Sequence, residues 1–158
     1  MKNRFLTNLL LTFLWVVLTA SFTFADFLFG FLLGYFFLWV TSREAGKARY
    51  FRLMPKLIAF FFFFLYELIK ANLQVAYEVG TPKLKMTPGI VAVPLDVKSD
   101  FEITTLANLI TLTPGTLSMD VSDDKKVLYV HSMYVSNREE FIKSIKNGFE
   151  KRIMEITQ

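Results

Sequence analysis

Apolar and polar positions divide the chain into two regions of different character. Between residues 5 and 42 the only charged side chain is Asp26, whereas beyond residue 80 apolar residues recur among polar ones at strand and helix spacing. A bilayer core requires roughly 17 to 25 helical residues per crossing. The first region is therefore too long for one crossing, and we predict a hairpin of two short helices at about residues 5–20 and 27–41.

A third apolar segment follows Pro55 and then becomes amphipathic. Five consecutive phenylalanines at residues 60–64 precede a helical face with polar side chains at three- and four-residue steps. We predict a helix at about residues 55–78, with Pro55 in its first turn. Its apolar run is about half the spanning length, which favours an interfacial or partner-buried helix over a third crossing. The polar positions are Glu67, Lys70, Gln74 and Glu78.

Polar residues in the apolar half are candidates for contacts with other subunits or for polar groups within the membrane, where ionisable side chains are costly. Glu67 and Lys70 have i,i+3 spacing, which fits either a local ion pair or two groups facing a hydrated cavity or a subunit seam. Gly30 and Gly34 form a GxxxG pair that would let another helix approach closely. The candidate residues are Asp26, Glu67, Lys70 and Asn72.

Basic residues on both sides of the hairpin set its predicted orientation. Both ends face the cytoplasm by the positive-inside rule, and two crossings keep residues 80–158 on that side. A cleaved signal peptide is the alternative for the N-terminus, but a second apolar segment follows the first almost at once. The basic residues are Lys2 and Arg4 before the hairpin and Arg43, Lys47, Arg49, Arg52 and Lys56 after it.

The polar half predicts a small cytoplasmic α/β domain with the order β-α-β-β-α and helices on one face of the sheet, which makes a two-layer sandwich. Residues 80–89 are rich in glycine and proline, which is typical of a linker, so we place a membrane module at 1–79 and the domain at 90–158. The predicted elements are a strand at 90–97 with Pro94 at a sheet edge or bulge, a helix after the capping box 99–102, strands at 116–121 and 127–134, and a helix after the capping box 136–139.

Charge and composition narrow the possible chemistry. Residues 81–158 hold ten basic and ten acidic side chains, so the formal charge of +4 belongs to the apolar half and indicates topology and anionic lipid rather than nucleic acid. Cysteine is absent and His131 is the single histidine, so a transition-metal site has few ligands. The common phosphate-loop and hydrolase motifs are also absent. We expect no enzyme activity, no cofactor and no metal site.

One run of sequence is long and unusual enough to indicate a family. Residues 106–117 read LANLITLTPGTL, and the segments PLD, KSD, YVH and ELIKAN accompany this run. With these segments the chain resembles the E subunit of the multisubunit Mrp-type Na+/H+ antiporters over nearly its whole length. The turn that carries the resemblance contains Asn108, Thr111, Thr113, Pro114, Gly115 and Thr116.

The resemblance implies an accessory structural or regulatory subunit of a cation/proton antiporter complex in the cell membrane. Other subunits would carry the ion path and exchange sodium for protons, which serves pH homeostasis. The implied partners are those subunits and membrane lipids. The alternative that the residues leave open is a membrane-anchored ligand-binding or sensor domain, which would use the turn at residues 111–116 to hold a small ligand.

Overall fold

The computed structural model describes residues 2–41, 49–82 and 86–157. The chain forms two compact units that divide between Lys56 and Leu57. The predicted basic residues Arg43 and Lys47 lie outside the described residues. The helical N-terminal region followed by a small sheet with helices confirms the predicted fold class at this level.

Helices α1 (Lys2–Thr19) and α2 (Phe24–Thr41) pack together as an antiparallel pair in the first unit. Ala20, with φ of 51°, ends α1, and a short turn leads into α2. Among the described residues α2 is the one helix both long and apolar enough to cross a bilayer, while α1 has a shorter apolar stretch, Arg4–Thr19. The GxxxG prediction is confirmed, and the approaching helix is α1: a β-carbon at Gly34 would clash with Asn8 Oδ1.

Helix α3 (Arg49–Gly80) runs from the first unit into the second, and it begins earlier than predicted. Pro55 lies inside α3, so its placement in the first turn was wrong. Proline removes the N–H that would bond the carbonyl four residues earlier. The Tyr35 hydroxyl donates to that carbonyl, at Phe51, over 3.5 Å. Tyr50, 3 % exposed and bonded to Asn8, adds packing that keeps the turn before the proline helical.

The second unit contains a three-stranded antiparallel sheet in the order β1-β3-β2. Strand β1 is an edge strand, which confirms the predicted edge position of Pro94. The capping box of Ser99 and Glu102 is confirmed at the start of α4. The elements are β1 (Gly89–Pro94), α4 (Asp100–Leu112), β2 (Thr116–Val121), β3 (Val127–Ser132), α5 (Arg138–Ile145), a π turn (Lys146–Glu150) and α6 (Lys151–Thr157).

Three predicted details of this unit were wrong. The first strand ends at Pro94 rather than at residue 97, because the N–H groups of Asp96 and Val97 donate to the Glu150 carboxylate instead of to a strand. Strand β3 ends at Ser132 rather than at residue 134. The last helix is capped by Asn137, whose side chain accepts from the N–H groups of the second and third residues after it, and not by Ser136.

One face of the sheet carries the core of the second unit. Buried strand residues such as Val93 and Val130 pack against Leu106 of α4 and Phe149 of the π turn. The C-terminal helical segment also faces this core, since Ile145, Phe149 and Ile153 are all buried. Helix α3 contributes to the same cluster through its phenylalanines Phe60, Phe63 and Phe64.

The division between the two units therefore falls at residues 56 and 57, well before the glycine- and proline-rich stretch at 80–89. The phenylalanines of α3 explain this position, because the Phe63 ring lies 5.5 Å from the Phe149 ring, edge to face. Residues of α3 beyond Lys56 are thus part of the same compact unit as the sheet. At the other end of that stretch, Thr87 already bonds Met133 and Val135 through its backbone.

Candidate functional site

A cleft of about 470 Å³ lies within the second unit, between α3 and the α/β domain. It brings together two groups of residues that the sequence singles out separately: the polar face of α3 and the turn after α4. A third wall comes from α5, the π turn and α6. The lining residues are Phe63, Glu67, Lys70, Ala71, Gln74, Ile110, Thr113, Pro114, Thr116, Ser132, Tyr134, Phe141, Ser144, Ile145, Asn147, Gly148, Phe149 and Arg152.

The α3 wall carries the predicted pair Glu67 and Lys70. Lys70 Nζ lies 3.4 Å from Glu67 Oε2, so the predicted local ion pair is present. The Lys70 side chain is 59 % exposed, and an exposed pair of this kind contributes only about 0.3–0.5 kcal/mol to stability. Both residues also border the cleft, so the pair is available to anything that enters it.

The turn after α4 is ordered by its own hydroxyl groups. The Thr113 hydroxyl donates to the Leu109 carbonyl at 2.9 Å, and the Thr116 hydroxyl donates to the Ile110 carbonyl at 2.6 Å. Gly115 has φ of 87°, a conformation in which glycine avoids the steric cost of a side chain. These bonds satisfy carbonyls at the end of the helix and leave the threonine oxygens able to accept further bonds.

Arg152 fixes the opposite wall. Its Nη1 donates to the carbonyls of Asn147 and Gly148 at 3.0 and 2.9 Å, both within the π turn. Its guanidinium also lies over the Phe63 ring, 3.6 Å from the ring centre. A π turn leaves the regular hydrogen-bond ladder of a helix, and such turns occur frequently at functional sites. Arg152 is therefore held in place by two carbonyls and one aromatic face.

Tyr134 completes the wall beside the glycine turn. Its ring lies 3.2 Å from the point where a β-carbon at position 115 would sit, so Gly115 allows the ring its place. The Tyr134 hydroxyl oxygen is buried, and no described residue is its hydrogen-bond partner. A buried hydroxyl without a partner is uncommon in folded proteins.

The remaining predicted residues are not among those that line the cleft. Asn72 is exposed on α3 and donates to the Leu68 carbonyl at 2.8 Å. Asn108 is exposed on α4, and Thr111 accepts a bond from the Ser118 N–H at 3.2 Å. Asp26 sits in the first turn of α2, where the hydroxyls of Ser21 and Thr23 donate to it.

Two buried carboxylates were missed by sequence reasoning. Glu150 is fully buried and accepts from the N–H groups of Asp96 and Val97, while Lys146 lies 3.4 Å from its other oxygen. Burial opposes the charge of Lys146, but its bond to Asp96 and the charge of Glu150 outweigh burial and raise the pKa of Lys146. The sequence signal is faint, because only the i,i+4 spacing of residues 146 and 150 marks the pair.

Glu102 is the second carboxylate: its place in the capping box was predicted, but its burial and its bond to Thr157 were not. The Thr157 hydroxyl donates to Glu102 Oε1, and the N–H groups of Ser99 and Lys98 donate to Oε2. These bonds lower the pKa of Glu102 to about 2, and the bond from Thr157 has the largest effect. They tie the end of α6 to the start of α4.

The chemistry of the cleft is that of a binding site. Within residues 2–41, 49–82 and 86–157, no group of three or more acidic or histidine side chains could hold a metal ion. The cleft instead presents two cations, one carboxylate, several hydroxyls and amides, and apolar patches from α4 and α5. Such a mixture favours an amphipathic occupant.

Comparisons with known proteins agree with this architecture. Residues 8–156 match the family described as Na+/H+ ion antiporter subunit. The E subunit of the Na+/H+ antiporter of Alkalihalophilus pseudofirmus is 44% identical, and that of Bacillus subtilis is 40% identical, each over all 158 residues of both chains. The corresponding E1 subunit of Staphylococcus haemolyticus is 40% identical over 99% of this chain and 98% of its own length.

Two solved membrane complexes contain similar chains. One chain of an archaeal respiratory complex, the membrane-bound sulfane sulfur reductase, aligns with a TM-score of 0.58 and 29% identity over 99% of both chains. A chain of the Mrp complex from Dietzia sp. DQ12-45-1b aligns with a TM-score of 0.50 and 26% identity, over 65% of this chain and 96% of its own. The resemblance seen in residues 106–117 is confirmed, and the chain belongs to the Na+/H+ ion antiporter subunit family that contains these bacterial E subunits.

Proposed function

We propose that the chain is an accessory structural or regulatory subunit of a multisubunit Na+/H+ antiporter in the cell membrane, and that it does not form the ion path. The observation that carries this proposal is the combination of an apolar surface with few ionisable groups in α1 and α2. Asp26 is the one acidic residue of those two helices, and hydroxyls of the adjoining turn already bond it. An ion path needs a continuous series of polar groups, which these helices lack among the described residues.

The proposed topology places α1 and α2 across the membrane and the α/β domain in the cytoplasm. An 18-residue helix such as α2 is about 27 Å long, slightly short for a hydrocarbon core of about 30 Å. Neighbouring subunits or local thinning of the bilayer would compensate for this length. Exposed aromatic residues such as Phe29, Phe36 and Trp39 give α2 the outer surface that lipid or another apolar helix requires.

Helix α3 is proposed to lie at the membrane interface or against a partner, as an amphipathic part of the membrane module at residues 1–79. A face of α3 other than the one that lines the cleft exposes a stripe of apolar side chains, which we call the α3 stripe. Such a stripe is typical of an interfacial helix. The α3 stripe consists of Ile58, Phe62, Tyr66, Ile69, Leu73 and Tyr77.

Copurification tests the proposed role. The tagged chain, expressed in its native cells and extracted in a mild detergent, is expected to bring down other membrane subunits in stoichiometric yield. Recovery of the tagged chain alone, under conditions in which a second tagged subunit still recovers the rest of the complex, would contradict the role of a subunit.

A further inference from the structure

We propose that the cleft between α3 and the α/β domain binds a phosphorylated polyol, the chemical class to which a glycerophosphate headgroup belongs. The cleft volume of about 470 Å³ falls within the range of about 300–1,000 Å³ that is usual for small-molecule sites. The cleft offers both hydrogen-bond donors and hydrogen-bond acceptors. The two sets together indicate the class of ligand.

The donors that would hold a phosphate come from two cations. Arg152 uses two N–H bonds of its Nη1 on the π turn, and a guanidinium has five N–H groups in all. Its remaining N–H groups are held in a fixed plane by the stacking on Phe63. Lys70 supplies the second cation from α3, and its bond to Glu67 is long and exposed. A phosphate is the anion that such a fork and point charge recognise together.

Tyr134 adds a donor that the protein itself does not satisfy. Its hydroxyl is buried in the wall of the cleft, and no described residue accepts from it. An acceptor oxygen on a bound ligand would give this hydroxyl the partner that buried polar groups normally have. This observation is independent of the two cations, because it depends on burial and not on charge.

The acceptors in the cleft indicate hydroxyl groups on the same ligand. The hydroxyl hydrogens of Thr113, Thr116 and Ser144 already bond backbone carbonyls, so these side chains can only accept from a ligand. Glu67 adds a carboxylate to this group. A bare polyanion would find these acceptors unfavourable, whereas a polyol attached to one phosphate supplies donors to them. Ile110 and Phe141 provide apolar wall for the carbon skeleton.

The test uses the full chain in maltoside micelles and measures dissociation constants by native mass spectrometry. Phosphatidylglycerol and phosphatidylcholine are the lipid probes, and glycerol 3-phosphate and inorganic phosphate are the soluble probes. We expect saturable binding of phosphatidylglycerol or of glycerol 3-phosphate. Tyr134→Phe and Arg152→Gln should each weaken it about tenfold or more, because each variant loses a hydrogen bond to a charged ligand. Tyr129→Phe, on the exposed side of β3, and Arg138→Gln, at the exposed start of α5, are the matched controls.

The probes distinguish the source of the ligand. Binding of phosphatidylglycerol without glycerol 3-phosphate assigns the cleft to a lipid headgroup, and the reverse assigns it to a soluble metabolite. Three results would overturn the proposal: no saturable binding of either probe, equal binding of phosphatidylcholine, or binding unchanged in Tyr134→Phe. The last result is informative even if Arg152→Gln misfolds, because removal of one unpartnered hydroxyl leaves the packing of the ring intact.

Discussion

Gly34 allows α1 and α2 to pack closely, because its side chain is a single hydrogen atom. A β-carbon there would clash with Asn8 Oδ1 and lie 3.3 Å from Leu11 Cβ, so the side chain of Asn8 occupies the space that any other residue would need. Asn8 is fully buried and donates to the Tyr50 hydroxyl at 3.0 Å. A larger residue at position 34 would therefore disturb both the packing of α1 against α2 and the hydrogen bond from Asn8 to Tyr50.

We predict that Gly34→Ala destabilises the α1–α2 pair by about 1–3 kcal/mol, the usual cost of overpacking. Thermal unfolding of the purified chain in detergent would show this as a lower transition temperature. Gly80→Ala is the control, because nothing lies within 4 Å of a β-carbon at that position. Equal stability of the Gly34 variant and the control would contradict the close approach of α1 to α2 at this position.

A second prediction at the residue scale concerns pH. Because hydrogen bonds hold the pKa of Glu102 at about 2, below its ordinary value of 4.5, the ionised form stabilises the fold above pH 4.5. This contribution is lost as the pH falls from 4.5 towards 2. Thr157→Val removes the largest cause of the shift, so the pKa of Glu102 should rise in an NMR titration of its labelled carboxyl carbon. An unchanged pKa would contradict the bond between α6 and α4.

At the scale of the element, local sequence signals succeeded where residues close in sequence provide the hydrogen-bond partners of the backbone. Ser99 and Glu102 form the predicted capping box, and the strand Thr116–Val121 has the predicted bounds. Signals failed where a distant residue decides the outcome. The end of β1 depends on Glu150, which is 54 positions from Asp96, and the helix before Pro55 depends on Tyr35. The helix predicted after residues 136–139 is interrupted by the π turn, which the sequence analysis did not anticipate.

The α3 stripe provides the prediction at this scale. The chain has no cysteine, so a single cysteine can carry a spin label without further changes. In liposomes that contain the chain alone, a label at Leu73→Cys should be more accessible to oxygen than to a water-soluble nickel complex, because that face lies in lipid. A label at Gln74→Cys, on the cleft side, should show the opposite order. Equal access of the nickel complex to both labels would contradict an interfacial α3.

At the scale of the whole molecule, the cleft could not have been derived from the sequence. Glu67 and Thr116 were both singled out, but for different reasons, and their common position depends on the packing of α3 against Phe149. The sequence contained the phenylalanines without indicating whether lipid, a partner or this domain covers them. Family membership was the most accessible conclusion, because a continuous run such as residues 106–117 needs no tertiary information.

Lys70→Ala is predicted to impair assembly of the complex more than it changes ion selectivity. The Lys70–Glu67 pair is exposed, so its loss should alter the free energy of folding by less than about 1 kcal/mol. The effect should therefore appear in the yield of the purified complex, while the preference of the remaining complex for Na+ stays as in the unmodified protein. Normal yield together with an altered cation preference would refute this prediction.

The central claim is that this subunit contributes to an antiporter without conducting ions itself. The most direct measurement is sodium flux in liposomes that contain either the purified chain or the whole complex, each with an imposed proton gradient. We predict exchange of sodium for protons by the whole complex and an undisturbed sodium gradient with the chain alone. Sodium–proton exchange by the lone chain would contradict the account.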